Sequence, residues 1–293
     1  MIPQEGANQP VHVLGATGRT GRALCAALFA EGVPIVPVVR DAPRWQASGF
    51  AAAPRIADLG DAPALRTALA DASRVVSTAH ARFTLNVLAA APAAARLVLT
   101  GSTRRYSRFP DAHGAGVAAG EAAFLASGRH GVMLHPTMIY GAQGEQNVQR
   151  LAAILRRLRV VPLPGAGRNL VQPIYQDDVT RALCAALAIA WTGPHVLVIA
   201  GPEPVTYATL VRAVAAAAGL PRPRIVPVPA QLLVIAARLG IRLPGVPRVG
   251  PAEIRRLLED KAFDIRPMLD TLGVRPVPLA EGLARTFQSA TIG

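Results

Sequence analysis

Gly15, Gly18 and Gly21 stand at GxxGxxG spacing within Val11-His-Val-Leu-Gly-Ala-Thr-Gly-Arg-Thr-Gly-Arg22, and the chemistry such spacing serves is the binding of a phosphate. Val11 to Leu14 reads as a short buried strand. Ala23 to Ala30 reads as a helix, with Leu24 and Leu28 one turn apart on one face. A strand that turns sharply into a helix presents free backbone N–H groups, and the positive end of the helix dipole adds to their pull on an anion. Glycine is required because a Cβ would block both the tight turn and the approach of a pyrophosphate. Strand, triplet and helix in that order assign Gly15, Thr17, Gly18, Arg19, Thr20 and Gly21 to a dinucleotide's phosphates.

Further residues fall where a dinucleotide would meet them. Arg40 ends the second apolar run, Ile35 to Val39, at the place where the adenosine ribose is read. A carboxylate there accepts from the 2′-OH of NAD, whereas an arginine pairs with the 2′-phosphate of NADP. Arg19 and Arg44 add positive charge, and Asp41 next door keeps NAD open; charge complementarity favours NADP(H) over NAD(H). Asp58-Leu59 follows the third short strand, Pro54 to Ala57. Its carboxylate is placed to accept from the adenine amino group or to cap the helix Ala62 to Ala70, a role that Asp61 fills better. Thr78, Ala79 and His80 leave the carboxyl end of a fourth strand, Arg74 to Thr78.

The elements that must hold these residues alternate. Strands at Arg96 to Thr100 and Val132 to Leu134 are separated by helical patterns at Phe83 to Ala95 and Gly116 to Ser127. Such alternation argues for right-handed βαβ units and a parallel sheet, which binds ligands at the carboxyl ends of its strands. Gln146 to Leu158 and Asp177 to Ala190 read as helices and His195 to Ala200 as a strand. Beyond it, Thr206 to Ala217, Ala230 to Leu239 and Pro251 to Leu258 are helical patterns between proline-rich turns. The fold class expected is α/β: a Rossmann-type doubly wound parallel sheet with a smaller, mostly helical C-terminal substrate lobe. Residues 1–145 plus 170–201 are assigned to the nucleotide-binding part, and 146–169 plus 202–293 to the lobe.

Composition narrows the function classes. Hydrophobic residues are 51 % of the 293, enough for a sizeable core. The net charge is +13, but the basic residues are scattered and nearly all arginine, with Lys261 the single lysine. There is no tract or aromatic-interleaved stripe of the kind nucleic-acid binding needs, so no specific nucleic-acid partner is expected. Met1 to Pro10 is polar, unlike a signal peptide, and Leu183 to Trp191 is too short to span a bilayer. Leu232 to Leu243 suits either a bilayer surface or a buried helix. Cys25 and Cys184 read as reduced thiols, and a cytoplasmic location is expected. The six histidines show no metal-ligand spacing, so no metal is assigned. Ser102 lacks the second glycine of a nucleophile elbow.

The chain resembles the extended and atypical short-chain dehydrogenase/reductases of the NAD-dependent epimerase/dehydratase superfamily. The resemblance rests on the glycine turn, on Asp58-Leu59, on Leu97 to Tyr106, on His135-Pro-Thr-Met-Ile-Tyr-Gly141, on Gln172 to Val179, and on Glu259-Asp-Lys-Ala-Phe-Asp264 with Leu272-Gly273 and Glu281-Gly-Leu283. It implies Ser102 as the catalytic Ser/Thr and puts Pro136 beside the nicotinamide. It also implies a departure. With Glu121 fixing the helix register, the family's Tyr-x-x-x-Lys slots hold His113 and Val117. The usual proton relay cannot operate.

Two readings follow. In the first the protein is an NADP(H)-binding oxidoreductase or epimerase-like enzyme acting on a small-molecule carbonyl or hydroxyl. His113, Tyr106 or Tyr140 then replaces the missing proton donor, with Ser102 orienting the substrate oxygen. In the second it is a non-catalytic NADP(H)-sensing regulator or assembly factor. Arg104 and Arg105 lie where a substrate anion would meet them, although surface pairs of this kind are common.

Overall fold

The computed structural model describes residues 9–109, 111–142, 147–238 and 250–288. In chain order the elements are β1 (Val11–Leu14), α1 (Arg19–Ala30), β2 (Ile35–Val39), α2 (Ala42–Gln46), β3 (Arg55–Ile56), α3 (Ala62–Ala68), β4 (Arg74–Ser77), α4 (Thr84–Ala90), β5 (Arg96–Thr100), α5 (Ala112–Ala126) and β6 (Gly131–Pro136). They continue with β7 (Ile139–Tyr140), α6 (Asn147–Arg157), β8 (Val160–Pro164), β9 (Leu170–Val171), β10 (Ile174–Tyr175), α7 (Gln176–Ala188), β11 (Pro194–Ile199), β12 (Val205–Thr206), α8 (Tyr207–Ala217), β13 (Arg224–Val228), α9 (Ala230–Arg238), α10 (Pro251–Arg256), α11 (Arg266–Leu272) and α12 (Leu279–Gln288).

The described residues form a seven-stranded sheet in the order β11-β6-β5-β4-β1-β2-β3. Every pairing in it is parallel. The chain starts at β1, builds outward through β2 and β3, then crosses back to β4 and builds the other way. The fold is thus doubly wound, with its switch point between β1 and β4, and sheets of this kind bind ligands at that point, outside the strands' carboxyl ends. All four residues of β1 are buried, as apolar runs covered on both faces must be. One face packs Leu24, Cys25 and Leu28 of α1 against Val179, Ala182 and Leu183 of α7. The other packs Leu65, Val87, Val117 and Phe124 of α3, α4 and α5. Pro37 is tolerated inside β2 because pairing with β3 begins only at Val38.

Several boundaries differ from the sequence reading. Helix α1 starts at Arg19, four residues before the apolar pattern, because Gly18 turns directly into it. Helix α5 starts at Ala112 rather than Gly116: Asp111 caps it, its side chain accepting from the Gly114 N–H at 2.8 Å. Helix α4 ends at Ala90, before Pro92.

The lobe is less helical than expected. Within the Pro/Gly-rich stretch Val160 to Asn169, whose sequence reads as loop with room for a short strand, Val160–Pro164 is a strand paired in parallel with β13, and β9 pairs antiparallel with β12. Around these strands Val148, Leu155, Leu163, Val211, Val214 and Leu283 form a separate core. Helix α11 does not join it. Met268, Leu272 and Val274 pack into the core shared by α1, α7 and the large sheet. The expected boundary at residues 145 and 146 lies outside the described residues. So do residues 239–243 of the stretch Leu232 to Leu243; in the described part, Leu232 and Ile235 are exposed rather than buried. Among the described residues no helix is long and apolar enough to cross a membrane.

Candidate functional site

The glycine turn joins β1 to α1 at the switch point of the sheet. Gly15 takes a positive φ of 77°, a conformation that costs other L-residues. A Cβ on Gly21 would overlap the Gly15 carbonyl oxygen, so the first turn of α1 can lie directly on β1 only with glycine there. Gly18 holds the N-cap position of α1 in an extended conformation, and no side chain caps the helix. A helix that starts without a side-chain cap directly after a glycine turn suits the diphosphate of a nicotinamide nucleotide. Thr78 locks β4 to this turn: its N–H and Oγ1 both donate to the Leu14 carbonyl, at 3.0 and 2.9 Å.

On the adenosine side, Arg40 and Asp58 face one another, Nη1 to Oδ2 at 3.7 Å, both substantially exposed. Asp58 also accepts from the Gly60 N–H at 2.7 Å. Asp61, not Asp58, caps α3. Asp41 is committed as the N-cap of α2, accepting from the Arg44 N–H at 3.0 Å. Of the two charges that follow β2, the carboxylate is thus occupied by a backbone amide and the guanidinium is turned to solvent. Leu59 packs partly into the core beneath, and its carbonyl accepts from Asn86.

On the reacting side the structure brings His80 and His113 together, ring centroids 4.3 Å apart, edge to face. His80 follows β4; its Nδ1 accepts from the Arg82 N–H, which fixes the ring. His113 sits in the first turn of α5. Burial, then the neighbouring His80, pushes the His113 pKa below its ordinary 6.5, and burial does the same to His80. Val117, one turn on in the lysine slot, is buried in the core.

Ser102 lies at the end of β5, and its position is set from below. Its N–H donates to His135 Nδ1 at 2.9 Å, and its Oγ accepts from the Arg104 N–H at 3.2 Å. With Nδ1 accepting, His135 carries its proton on Nε2, 2.7 Å from Glu121 Oε2. Arg105 Nε lies 3.0 Å from the same oxygen. Burial lowers the His135 pKa to about 4 and raises that of Glu121. The network is closely packed: a Cβ on Gly101 would overlap the His135 ring.

Ser102 and Tyr106 line a cavity of about 800 Å³ that runs to the lobe, closed on its far side by Arg256, Lys261 and Phe263. Tyr106 is partly exposed, its ring against those of His135 and Phe263. Pro136 is buried at the end of β6, and its carbonyl accepts from Thr103. Tyr140, the other proton donor considered, does not line the cavity. It is buried against Tyr175 and Gly282, and burial raises its pKa.

Sequence reasoning missed the contribution of 250–263 to this cavity. Glu259 reaches back to accept from Ser107 Oγ and the Arg108 N–H. Arg256 and Arg104 share the carboxylate of Asp111, at 3.0 and 2.7 Å. The only signal was the Glu259–Asp264 motif, which marks a family and not a contact.

Residues 15–126 match the family described as NAD(P)H-binding. A "3beta-hydroxysteroid-dehydrogenase/decarboxylase" of Arabidopsis thaliana is 31 % identical over 200 residues, covering 61 % of this chain and 45 % of that protein. The chain spans less than half the length of the curated relatives it matches. Among solved structures, an NADPH-dependent quinone oxidoreductase from Escherichia coli superposes with a TM-score of 0.74 at 20 % identity, covering 94 % of this chain and 99 % of its own. A UDP-glucose 4-epimerase from Thermotoga maritima gives 0.70 at 17 %, covering 97 % and 100 %. The glycine turn, the fold and these matches agree: residues 15–126 match the family described as NAD(P)H-binding, on a fold similar to those of the quinone oxidoreductase and the epimerase.

Proposed function

We propose that the protein is an NADP(H)-dependent oxidoreductase or epimerase-like enzyme that acts on a carbonyl or hydroxyl of a small molecule. The observation that supports this reading is the start of α1 over the glycine turn with no side-chain cap, on a sheet whose strand ends also bear Ser102. Gly15, Thr17, Gly18, Arg19, Thr20 and Gly21 hold the diphosphate, Arg40 the 2′-phosphate, Asp58 and Leu59 the adenine, and Thr78, Ala79, His80 and Pro136 the nicotinamide half. The bound nucleotide supplies or accepts hydride. The chain's own residues handle the proton. Ser102 Oγ orients the substrate oxygen. His113, held against His80, takes the proton from a hydroxyl in oxidation and returns it in reduction. Tyr106 is the alternative donor: it lines the cavity beside Ser102, whereas neither His113 nor Tyr140 is among the residues that line it. The named activities of the Arabidopsis relative and the quinone reductase support this class of chemistry.

One observation favours a second reading, a non-catalytic NADP(H) sensor: Val117, buried in the lysine slot, has no polar group to offer. A single experiment separates the two. NADPH binding is measured by calorimetry, and NADPH oxidation is then screened against aldehydes and ketones. Turnover that falls at least tenfold in His113→Ala supports the enzyme. Tight NADPH binding with no turnover on any carbonyl supports the sensor. No binding of either nucleotide defeats both.

A further inference from the structure

The cavity beyond Ser102 holds an imbalance of partners. Among the described residues its lining carries five cations, Arg104, Arg108, Arg150, Arg256 and Lys261, against three carboxylates, which accept from neutral donors. Glu259 accepts from Ser107 Oγ and the Arg108 N–H, Asp260 from the Leu170 N–H and Asn169 Nδ2, and Glu253 from the Gly250 N–H. Its cations are served differently. Arg104 and Arg256 both draw on Asp111 Oδ2, a single carboxylate that also caps α5. Lys261, the single lysine of the chain, turns its Nζ to the Arg256 carbonyl at 3.2 Å. Burial lowers the Lys261 pKa; the neighbouring Glu259 carboxylate opposes this, and Arg256 and Arg104 add to it. Met138, Leu151, Ile154, Leu257 and Phe263 give the same cavity an apolar stretch, beside the polar Thr103, Thr137 and Asn147.

We infer that this cavity takes an apolar acid, a largely hydrocarbon body bearing a carboxylate or phosphate that Arg104, Arg256 and Lys261 hold. The inference rests on the enzyme reading and deepens it by naming the substrate class. Three cations around one oxyanion give charge-assisted hydrogen bonds, and the apolar wall rewards a body that water rejects.

The test uses the whole protein saturated with NADPH, so that the glycine turn is filled. Binding of decanoate, decyl phosphate, 1-decanol and UDP-glucose is compared by calorimetry. Decanoate or decyl phosphate is expected to bind at least tenfold tighter than 1-decanol, and the stronger of the two identifies the head group. Lys261→Met should reduce that preference by roughly tenfold, the loss expected of one charged hydrogen bond. Asp111→Asn retains an N-capping side chain and removes the competing charge, so it should tighten acid binding several-fold. Equal binding of acid and alcohol overturns the inference, as does UDP-glucose binding in place of the acids. An acid preference untouched in both variants overturns it too. Failure of the wild type to bind NADPH would instead strike the reading beneath it.

Discussion

Arg40 and His113 carry the specificity and the proton in this reading, and each has its own signature. With Asp41 spent on capping α2, Arg40 is the charge left to read a ribose substituent. Arg40→Ala should weaken NADPH by about 1.5–3 kcal/mol, or at least tenfold, and leave NADH nearly unchanged. Parallel titrations check this, and equal losses would remove the 2′-phosphate role. For His113 the sign follows from its depressed pKa. Reduction needs the imidazolium, so its rate should fall as pH rises through a midpoint below 6.5. Oxidation needs the neutral ring and should plateau above that midpoint. A pH–rate profile in both directions checks this. His113→Ala should flatten both limbs.

Two elements decide whether the site exists at all. Helix α1 can approach β1 only because Gly21 lacks a Cβ. Gly21→Ala must push α1 away from the Gly15 carbonyl, and the expected outcome is loss of measurable NADPH binding together with a lowered Tm. Helix α5 is started by Asp111, and its cap places His113 in the first turn beside His80. Asp111→Ala removes the cap and should cost about 1–2 kcal/mol by chemical denaturation. A fall in turnover larger than the stability loss would show that the cap also orients His113.

The chain as a whole is stitched together by segments distant in sequence. Helix α11 leaves the lobe and inserts Met268 and Leu272 into the core of the large sheet. Leu272→Ala should therefore cost about 2–4 kcal/mol of global stability and lower the melting of the nucleotide-binding part, not of the lobe alone. Hydrogen exchange in α1 and α7 checks that reach. Buried His135 adds a pH dependence. Its folded pKa of about 4 lies below its ordinary 6.5. The unfolded chain thus binds the extra proton, and stability present above pH 6.5 is lost progressively down to about pH 4. A Tm series across that window, flattened in His135→Gln, tests it.

The order of β1 through β6, the glycine turn and the placing of Arg40, Thr78 and Ser102 at strand ends were legible in the sequence. The reason is that short apolar runs, glycine spacing and caps are local signals, set by backbone sterics and by burial on a parallel sheet. Of the lobe strands, β13 was not legible and β8 only as a short strand allowed within a Pro/Gly-rich loop, because prolines disguise both and their pairing is between residues far apart. Nor was the meeting of His80 with His113, or of Arg104 with Arg256 over Asp111. Such contacts depend on which helix crosses which strand end, and only the packed sheet and lobe settle that distance. The sequence by itself determined a nucleotide-binding turn and a missing Tyr/Lys pair; tertiary structure alone decided which charges face the cavity and which are already partnered.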